Sequence, residues 1–423
     1  MEQDNFKVYG YRWIVLVAFM LITAVNQLLW ITFAAVTSEA VKFYGVSDLS
    51  IGILSMSFMI VYIVVSIPAS WVIDTYGIRV GVGIGAALTA VFGLLRGLTA
   101  SSYTLVLISQ IGIAVGQPFI LNAVTSVAAR WFPARERATA SGLGSLAIYL
   151  GIFLGLALTP YLVLHSQMGG MLVVYGIAAL VAALVFFVLA RERPATPPCP
   201  PGMEARSLVL DGLKQIFRSK AFLLLLAIYF IGLGAFNAVT TWIEDIVRPR
   251  GFSSTQAGII GGLMIVGGIV GALVIPTLSD RYRRRVPFII MALVGATLGL
   301  AGVTYAAGYG LLLAASLVFG FFLLSAGPIG FQYGAEITYP TPEGTSNGLL
   351  LLMGQISGIL FIFGMDGFKS PVSGSMTLPL VVLIVLVFVG LLLSFLLREP
   401  PVLLTPGEKP QEAAKPLKVG AAK

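Results

Sequence analysis

Residues 67–79, IPASWVIDTYGIR, and residues 275–285, IPTLSDRYRRR, each end a long apolar run with a proline, a carboxylate and basic residues. An apolar run of about 20 residues is long enough to cross a bilayer as a helix. The recurrence of one pattern in both halves of a chain is typical of carriers built from two repeated bundles. The two stretches therefore predict matching loops at one membrane surface, one loop in each half.

The composition of the whole chain also indicates a membrane protein. Of the 423 residues, 58% are hydrophobic and 10% are charged, and the mean hydropathy is +0.96. Soluble domains carry about 25% charged residues. Apolar runs separated by charged or Gly/Pro breaks predict twelve spans and leave no room for a soluble catalytic domain. We therefore expect an all-α membrane protein with twelve transmembrane helices in two pseudo-symmetric six-helix bundles, and no enzyme activity.

Residues 191–221 divide the chain, because they contain the proline-rich run PATPPCPPG and a polar, basic stretch. We predict an N-terminal bundle at 1–190, a cytoplasmic linker at 191–221, a C-terminal bundle at 222–398 and a disordered cytoplasmic tail at 399–423. Most of the 26 lysines and arginines lie in the tails, the linker and the loops on the same side. The positive-inside rule then predicts a multi-pass protein of the cell membrane with both termini in the cytoplasm.

Several chemistries are excluded by residue counts. The single cysteine, Cys199, excludes a disulfide framework and multi-cysteine metal sites, and the single histidine, His165, excludes histidine-rich metal sites. We place His165 in a loop between spans. The net charge of +8 is explained by the membrane topology, so we expect no nucleic-acid partner. No metal or cofactor is predicted.

Polar side chains inside apolar runs are candidates for a substrate site, because an amide buried in a membrane is costly without a partner or a cavity. Trp30 and Asn26 lie four residues apart on one face of the first span. The other four tryptophans lie at span ends, where indole rings anchor at the lipid interface. An indole inside a span can bind a quaternary ammonium through its π face, and packing between helices is the alternative.

Amides in other spans complete this prediction. Gln117 directly precedes Pro118, which weakens the helix ladder in the fourth span. A cavity-facing position and an interhelical hydrogen bond remain the two alternatives for each amide. The predicted substrate site contains Trp30, Asn26, Gln117, Asn237, Tyr229, Gln355 and Gln332.

Charged residues at the span ends are candidates for gating. A carboxylate at the end of a span can pair with basic groups and a helix N-terminus, and so hold the two halves in one state. Glu336 is expected to pair with arginines at the inner surface, whereas Arg96, inside the third span, is expected to snorkel to the outer surface or to be paired. The predicted gating set contains Asp74, Gly77, Arg79, Asp280, Arg281, Arg284 and Glu336.

With its repeated Asp-basic loops, the chain resembles the major facilitator superfamily. A narrower resemblance is to the feline leukaemia virus subgroup C receptor-related family, solute carrier family 49. It rests on NQLLWITF (26–33), GQPFILNAVTSVAARWF (116–132), GAFNAVTTW (234–242) and AEITYPTPEGTSNGLLLLMGQISGI (335–359). The resemblance implies facilitative carriage of choline and ethanolamine, with haem and pyridoxine as other substrates assigned in the family. It also implies cavity residues at Trp30, Gln117 and Gln355, whereas Asn237 replaces the family's aromatic residue.

We therefore predict a secondary transporter of a choline- or ethanolamine-like cation, working by rocking-switch alternating access as a uniporter. Its expected partners are a small-molecule substrate and the lipid bilayer, and we expect a monomer. Two alternatives remain open. One is a proton-coupled carrier of an organic anion or drug that uses Arg96 and Glu336, and the other is a non-transporting membrane receptor or sensor.

Overall fold

The computed structural model of this chain describes residues 8–133, 136–196, 216–338 and 343–400. Within these ranges, eleven helices are long and apolar enough to cross a membrane. Cys199, most of the predicted linker and residues 401–423 of the predicted tail lie outside the described residues. The architecture is all-helical, as the sequence predicts.

The N-terminal half contains six membrane crossings in five long helices. These are α1 (Arg12–Ile31), α3 (Asp48–Tyr76), α4 (Ile78–Leu98), α5 (Tyr103–Leu121) and α7 (Arg137–Leu189), with the short helices α2 (Thr37–Tyr44) and α6 (Val124–Trp131) between them. An unbroken helix of the 53 residues of α7 would be about 80 Å long, more than twice the thickness of the hydrocarbon core. The backbone of α7 leaves the helical region at Gln167, where φ is 60°, and α7 supplies two crossings. His165 therefore lies inside α7, two residues before this break, and not in a loop.

The C-terminal half contains six crossings in six long helices. These are α8 (Lys220–Thr241), α10 (Ser254–Tyr282), α11 (Val286–Tyr305), α12 (Tyr309–Thr338), α13 (Glu343–Gly367) and α14 (Thr377–Ser394), and the short helix α9 (Ile243–Val247) and a 3₁₀ turn, Arg248–Arg250, precede α10. The described residues thus contain twelve helical segments long enough to cross a membrane, six within 8–196 and six within 216–400, in agreement with the number of predicted spans.

The two halves repeat the same packing. In the first half α5 packs against α3 and α4, and in the second α12 packs against α10 and α11, so that the fourth crossing of each half contacts the second and third. Between the halves, α7 meets α10 and α3 meets α13, so the second crossing of each half faces the fifth crossing of the other. A Cβ atom on Gly258 of α10 would overlap the carbonyl oxygen of Leu156 in α7, so only glycine permits this approach.

The faces of the bundle differ in how charged groups connect the halves. We call the face where α1 begins and α14 ends the terminal face, and the other the opposite face. On the opposite face, ion pairs join Asp48 of the first half to Arg248 and Lys369 of the second. On the terminal face, the ion pairs between described residues stay within one half, as in Arg285 with Glu336.

Candidate functional site

Trp30 and Asn26 both point into the first half, but toward different helices. The Trp30 indole is 6% exposed, and its Nε1 donates to the carbonyl of Ser55 in α3 at 3.1 Å. The Asn26 amide is fully buried, donates to the hydroxyl of Thr89 in α4 at 3.1 Å and accepts from Gln27 at 3.4 Å. Asn26 therefore has its hydrogen bonds inside the protein, where it holds α1 against α4.

Asn237 lies where α3, α8 and α13 meet. Its Nδ2 donates to the carbonyl of Gly354 at 3.1 Å. A Cβ atom on Gly358 would lie 2.9 Å from Asn237 Nδ2 and 2.7 Å from Met59 Sδ. Met59 is one helical turn after Ser55, the partner of Trp30. The structure thus brings Trp30 and Asn237 to neighbouring turns of α3, at the contact between the halves.

Gln117 is a buried amide whose hydrogen-bonding capacity is unused by the described part of the chain. It is 5% exposed, and no hydrogen bond joins its side chain to another described residue. Gln355, next to Gly354 in α13, is half-buried and likewise has no side-chain bond among the described residues. These two amides are the predicted site residues that can still hydrogen-bond a ligand.

Tyr229 and Gln332 lie apart from Trp30, in the second half. The Tyr229 hydroxyl donates to the Gly327 carbonyl and its ring packs 5.2 Å from the Phe331 ring, so it joins α8 to α12. Gln332 is exposed and donates to Glu336 at 2.9 Å, which places it with the charged residues of the terminal face.

Asn122 was not predicted, although it lies in a quoted stretch. Its Nδ2 donates to the Ser66 and Ser70 hydroxyls at 3.0 Å, and its Oδ1 accepts from Tyr62 at 2.8 Å. It stands where α5 ends, before α6 begins. An asparagine after Pro118 at a helix break was the available signal.

On the terminal face of the first half, a carboxylate caps α4. Glu192 accepts from the backbone amides of Ile78 at 3.2 Å and Arg79 at 2.8 Å, and it pairs with Arg130. Gly77 precedes these amides with a φ of 96°, and a Cβ atom there would overlap the Glu192 carboxylate. A carboxylate at a helix N-terminus is stabilised by the helix dipole.

Of the predicted gating residues, Arg79 contributes to this cap through its backbone and not through its side chain. The side chains of Asp74 and Arg79 are both exposed. The cation that pairs with the capping carboxylate is Arg130, from α6. Sequence proximity favoured Arg79, whereas the fold places the end of α6 beside Glu192.

The second half repeats the cap with a second carboxylate. Glu399 accepts from the amides of Arg285 at 3.0 Å and Val286 at 3.1 Å, at the start of α11. The Arg285 side chain pairs with Asp280 and, at 2.9 Å, with Glu336. Although burial opposes it, this pairing raises the pKa of Arg285.

The predicted cations Arg281 and Arg284 do not take part in this pairing. Both are exposed, and neither has an ion pair among the described residues. The reason is the backbone at Arg283, which has a φ of 52° and ends α10, so that the chain turns and the later Arg285 points back to Asp280. Arg285 is therefore the cation that the structure places beside Asp280 and Glu336.

On the opposite face, each half supplies a carboxylate that binds a serine at the start of a helix of the other half. Glu244 of α9 is 1% exposed and accepts from the Ser38 amide at 2.7 Å and from the Ser38 hydroxyl, in the first turn of α2. In return Glu39 of α2 accepts from the Ser254 hydroxyl, in the first turn of α10. These reciprocal contacts hold the halves together on this face.

A charged cluster reinforces these contacts. Lys369 pairs with Asp48 of the first half and, at 2.8 Å, with Asp245 of the second. Arg248 pairs with the same two carboxylates, at 3.2 Å and 2.8 Å. We call this cluster, together with the reciprocal carboxylate–serine contacts, the opposite-face latch; its members are Ser38, Glu39, Asp48, Glu244, Asp245, Arg248, Ser254 and Lys369.

Glu244 is the member of the latch whose pKa lies near neutrality. Burial raises the pKa of Glu244 to about 7, and the carboxylates of Asp245 and Glu39 add to the rise, whereas the hydrogen bonds from Ser38 oppose it. Arg248 Nη1 lies 3.8 Å away. Beside the latch, a cavity of about 850 Å³ opens between α2, α7 and the start of α10.

Two of the four tryptophans expected at the lipid interface are buried. Trp242 is fully buried, donates to the Ile362 carbonyl at 3.2 Å and contacts α3 so closely that a Cβ on Gly52 would lie 2.8 Å from its ring. Trp131 is also buried and donates to a backbone carbonyl after α7. Trp13 and Trp71 are exposed, as anchoring rings would be.

The sequence model of the Major Facilitator Superfamily matches residues 9–362. The chain belongs to the major facilitator superfamily. Within it, the chain belongs to solute carrier family 49: it is 32% identical over 383 residues to solute carrier family 49 member A3 of Danio rerio, covering 87% of this chain and 80% of that protein. It is 30% identical over 416 residues to the choline/ethanolamine transporter FLVCR1 of Felis catus, covering 92% of this chain and 73% of that protein.

A solved structure shows the same major facilitator fold. It is a bacterial homologue of the human lysosomal transporter Spinster in an inward-facing, unoccupied conformation, and the TM-score is 0.70 at 16% identity. The alignment covers 92% of this chain and 97% of that one. The fold, the transporter family and the multi-pass membrane character predicted from the sequence are thus confirmed.

Proposed function

We propose that this major facilitator protein carries a choline- or ethanolamine-like cation across the membrane without changing it chemically. The observation that carries the proposal is the buried indole of Trp30. Because its nitrogen already donates to Ser55, the ring can offer a ligand only its π surface. A quaternary ammonium binds such a surface and cannot use a hydrogen-bond acceptor. Relatives named choline/ethanolamine transporters support this substrate class.

We assign the hydroxyl end of the substrate to the amides of Gln117 and Gln355. An alcohol both donates and accepts, and an amide side chain offers both partners. Asn237 supports the site by holding α8 to α13 through Gly354. The remaining predicted residues, Asn26, Tyr229 and Gln332, are bonded to protein groups and are left out of the proposed contact set.

Transport would proceed by rocking of residues 1–190 against residues 222–398 in a monomer. The opposite-face latch closes one side of the site and must break when that side opens. We assign the terminal face to the cytoplasm of the cell, on the positive-inside rule. The close glycine contact between α7 and α10 supports rotation about this interface.

We propose uniport and not proton coupling. The two charges available to a proton-coupled anion carrier are engaged elsewhere, since Arg96 is bonded to Gln110 and Glu336 to Arg285. Uptake of choline into proteoliposomes should follow an imposed membrane potential, and an imposed pH gradient at fixed voltage should not concentrate it. Accumulation driven by the pH gradient alone would show that uniport is wrong.

Binding of radiolabelled choline to the purified chain tests the site. Trp30→Ala should weaken binding about five- to thirtyfold, as expected for the loss of about 1 to 2 kcal/mol, and Trp30→Phe should lose less. Gln117→Ala should weaken choline more than tetramethylammonium, which has no hydroxyl. Trp71→Ala, at an exposed tryptophan, is the matched control and should bind normally. Unchanged choline binding by folded Trp30→Ala would refute the proposal.

A further inference from the structure

Arg96 is a fully buried cation in the last turn of α4. It does not snorkel to the surface, and no carboxylate of the described residues lies within salt-bridge distance of it. Burying a charge without a counter-ion is costly, and intramembrane charges usually mark function. The hydrogen bonds of Arg96 therefore indicate what its charge stabilises.

These hydrogen bonds converge on the end of α1. Arg96 Nη1 donates to the Leu29 carbonyl at 3.1 Å, and Nη2 donates to the Thr32 hydroxyl at 3.3 Å. Gln110 of α5 accepts from Arg96 at 2.7 Å and donates to the same Leu29 carbonyl at 3.2 Å. One carbonyl is thus held by two side chains from two other helices.

The position of Leu29 explains why a cation is suited to this place. Leu29 belongs to the last turn of α1, which ends at Ile31, and carbonyls in a last turn lack intrahelical amide partners. A positive charge near a helix C-terminus is also favoured by the helix dipole. Arg96 and Gln110 together therefore cap α1 from inside the bundle.

Trp30 lies between the two residues that Arg96 binds. Its backbone is fixed through Leu29 and Thr32, and its indole nitrogen is fixed separately by Ser55 of α3. We propose that Arg96 is a positioning residue, which fixes the end of α1 and so orients the Trp30 indole toward the substrate ammonium, with Gln110 as its partner. This inference rests on the proposed function, because Trp30 is the binding residue there.

Arg250 in the second half offers a matched control. Its guanidinium donates to the Val303 and Ala306 carbonyls, at 2.7 Å and 3.4 Å, at the end of α11. Among the described residues it too has no ion pair. It therefore has the same kind of helix cap as Arg96, but in the other half from Trp30. A purely structural role predicts the same consequences at both arginines.

A double-mutant cycle on the purified full chain, with radiolabelled choline as the probe, tests the positioning role. Arg96→Gln should weaken choline binding about tenfold in the parent chain and less than about twofold in the Trp30→Ala background, as coupled residues behave. Arg96→Lys should restore part of the affinity because it returns the cation to the end of α1. Arg250→Gln should leave the affinity unchanged in both backgrounds.

Thr32→Val is the second variant, in case Arg96→Gln does not fold. It removes one hydroxyl bonded to Arg96 and should weaken binding about two- to threefold, again only where Trp30 is present. Equal losses in both backgrounds would overturn the positioning role while leaving the proposed function intact. Normal choline binding by Trp30→Ala would instead overturn the proposed function itself.

Discussion

Acidification on the side of the opposite face should keep the latch closed, because its key carboxyl titrates near neutrality. In the closed latch, burial raises the pKa of Glu244 to about 7, from an ordinary value of 4.5. When the halves separate, Ser38 leaves and water reaches the carboxylate, so the pKa falls back toward that ordinary value. At a pH between about 4.5 and about 7, the closed state therefore binds more protons than the open state. Low pH favours the closed state, and high pH favours opening.

The size of the effect follows from the two pKa values. For a carboxyl with a pKa of about 7 when closed and about 4.5 when open, a change from about pH 8 to about pH 5.5 stabilises the closed state by about 2 kcal/mol. The ratio of open to closed molecules should therefore fall about thirtyfold. Arg248 and Lys369 belong to the same half as Glu244 and stay near it in the closed and the open state. Their charges therefore change the difference between the two pKa values of Glu244 little.

Fluorescent labels across the opposite face can measure the ratio. Leu164→Cys in α7 and Val372→Cys after α13 place exposed labels on different halves, in a Cys199→Ser background. The distance distribution should titrate between about pH 4.5 and about pH 7 in the parent chain and be flat in Glu244→Gln, which has no carboxyl to protonate there. Glu39→Gln is the matched control: it weakens the latch and removes one charge that raises the pKa of Glu244, so the titration should persist but shift to lower pH.

Two results would refute this reasoning. The first is an open-to-closed ratio that does not change between about pH 5.5 and pH 8 in the parent chain. The second is a Glu244→Gln variant that still titrates near neutrality, which would assign the proton to another group. A positive result would remain compatible with uniport, because a proton that shifts the state of the carrier does not by itself concentrate the substrate.

Three further substitutions test the two faces. Asp48→Asn removes the first-half carboxylate that Lys369 binds, so the same labels should report more open molecules, by about 1 to 2 kcal/mol. Gly77→Ala combines a positive φ with an overlap on Glu192, and should lower stability by about 1 to 3 kcal/mol in thermal unfolding. Asp74→Asn should reduce transport and keep binding. Labels across the terminal face should report fewer molecules in which this face is closed, the state in which α3 approaches the other half.

Much of the fold could be predicted because spans are long apolar runs bounded by charges. The two crossings of α7 were separable, although Gln167 breaks the helix within a turn and no polar loop separates them. The short helices α2 and α9 were not predicted, since each is shorter than a span: α9 merges with the apolar run before it, and α2, with the sequence TSEAVKFY, has no apolar run of its own. These helices supply Ser38, Glu39, Glu244 and Asp245 of the opposite-face latch. The sequence therefore predicted the two bundles, but not the contacts that join them on this face.

The candidate site illustrates a limit of helical periodicity. Residues four apart, such as Asn26 and Trp30, differ by about 40° around a helix and share a face in projection. In the structure this angle is enough to direct Asn26 to α4 and Trp30 to α3. The partner of Glu244 is a serine 206 residues away, and no local pattern indicates it. Periodicity predicts the face of a residue, and tertiary packing decides its partner.

The positions of the charged contacts explain how such a carrier can rest in the state described here. On the terminal face, Glu192 and Glu399 cap helices of their own halves, so both caps can persist while the halves rotate. On the opposite face, Glu244 and Lys369 bind groups of the other half, and opening must break these contacts. Among the described residues, the charged contacts that opening must break therefore lie in the opposite-face latch. Because a titrating carboxyl lies in that latch, conditions on its side of the membrane should control how often the carrier opens there.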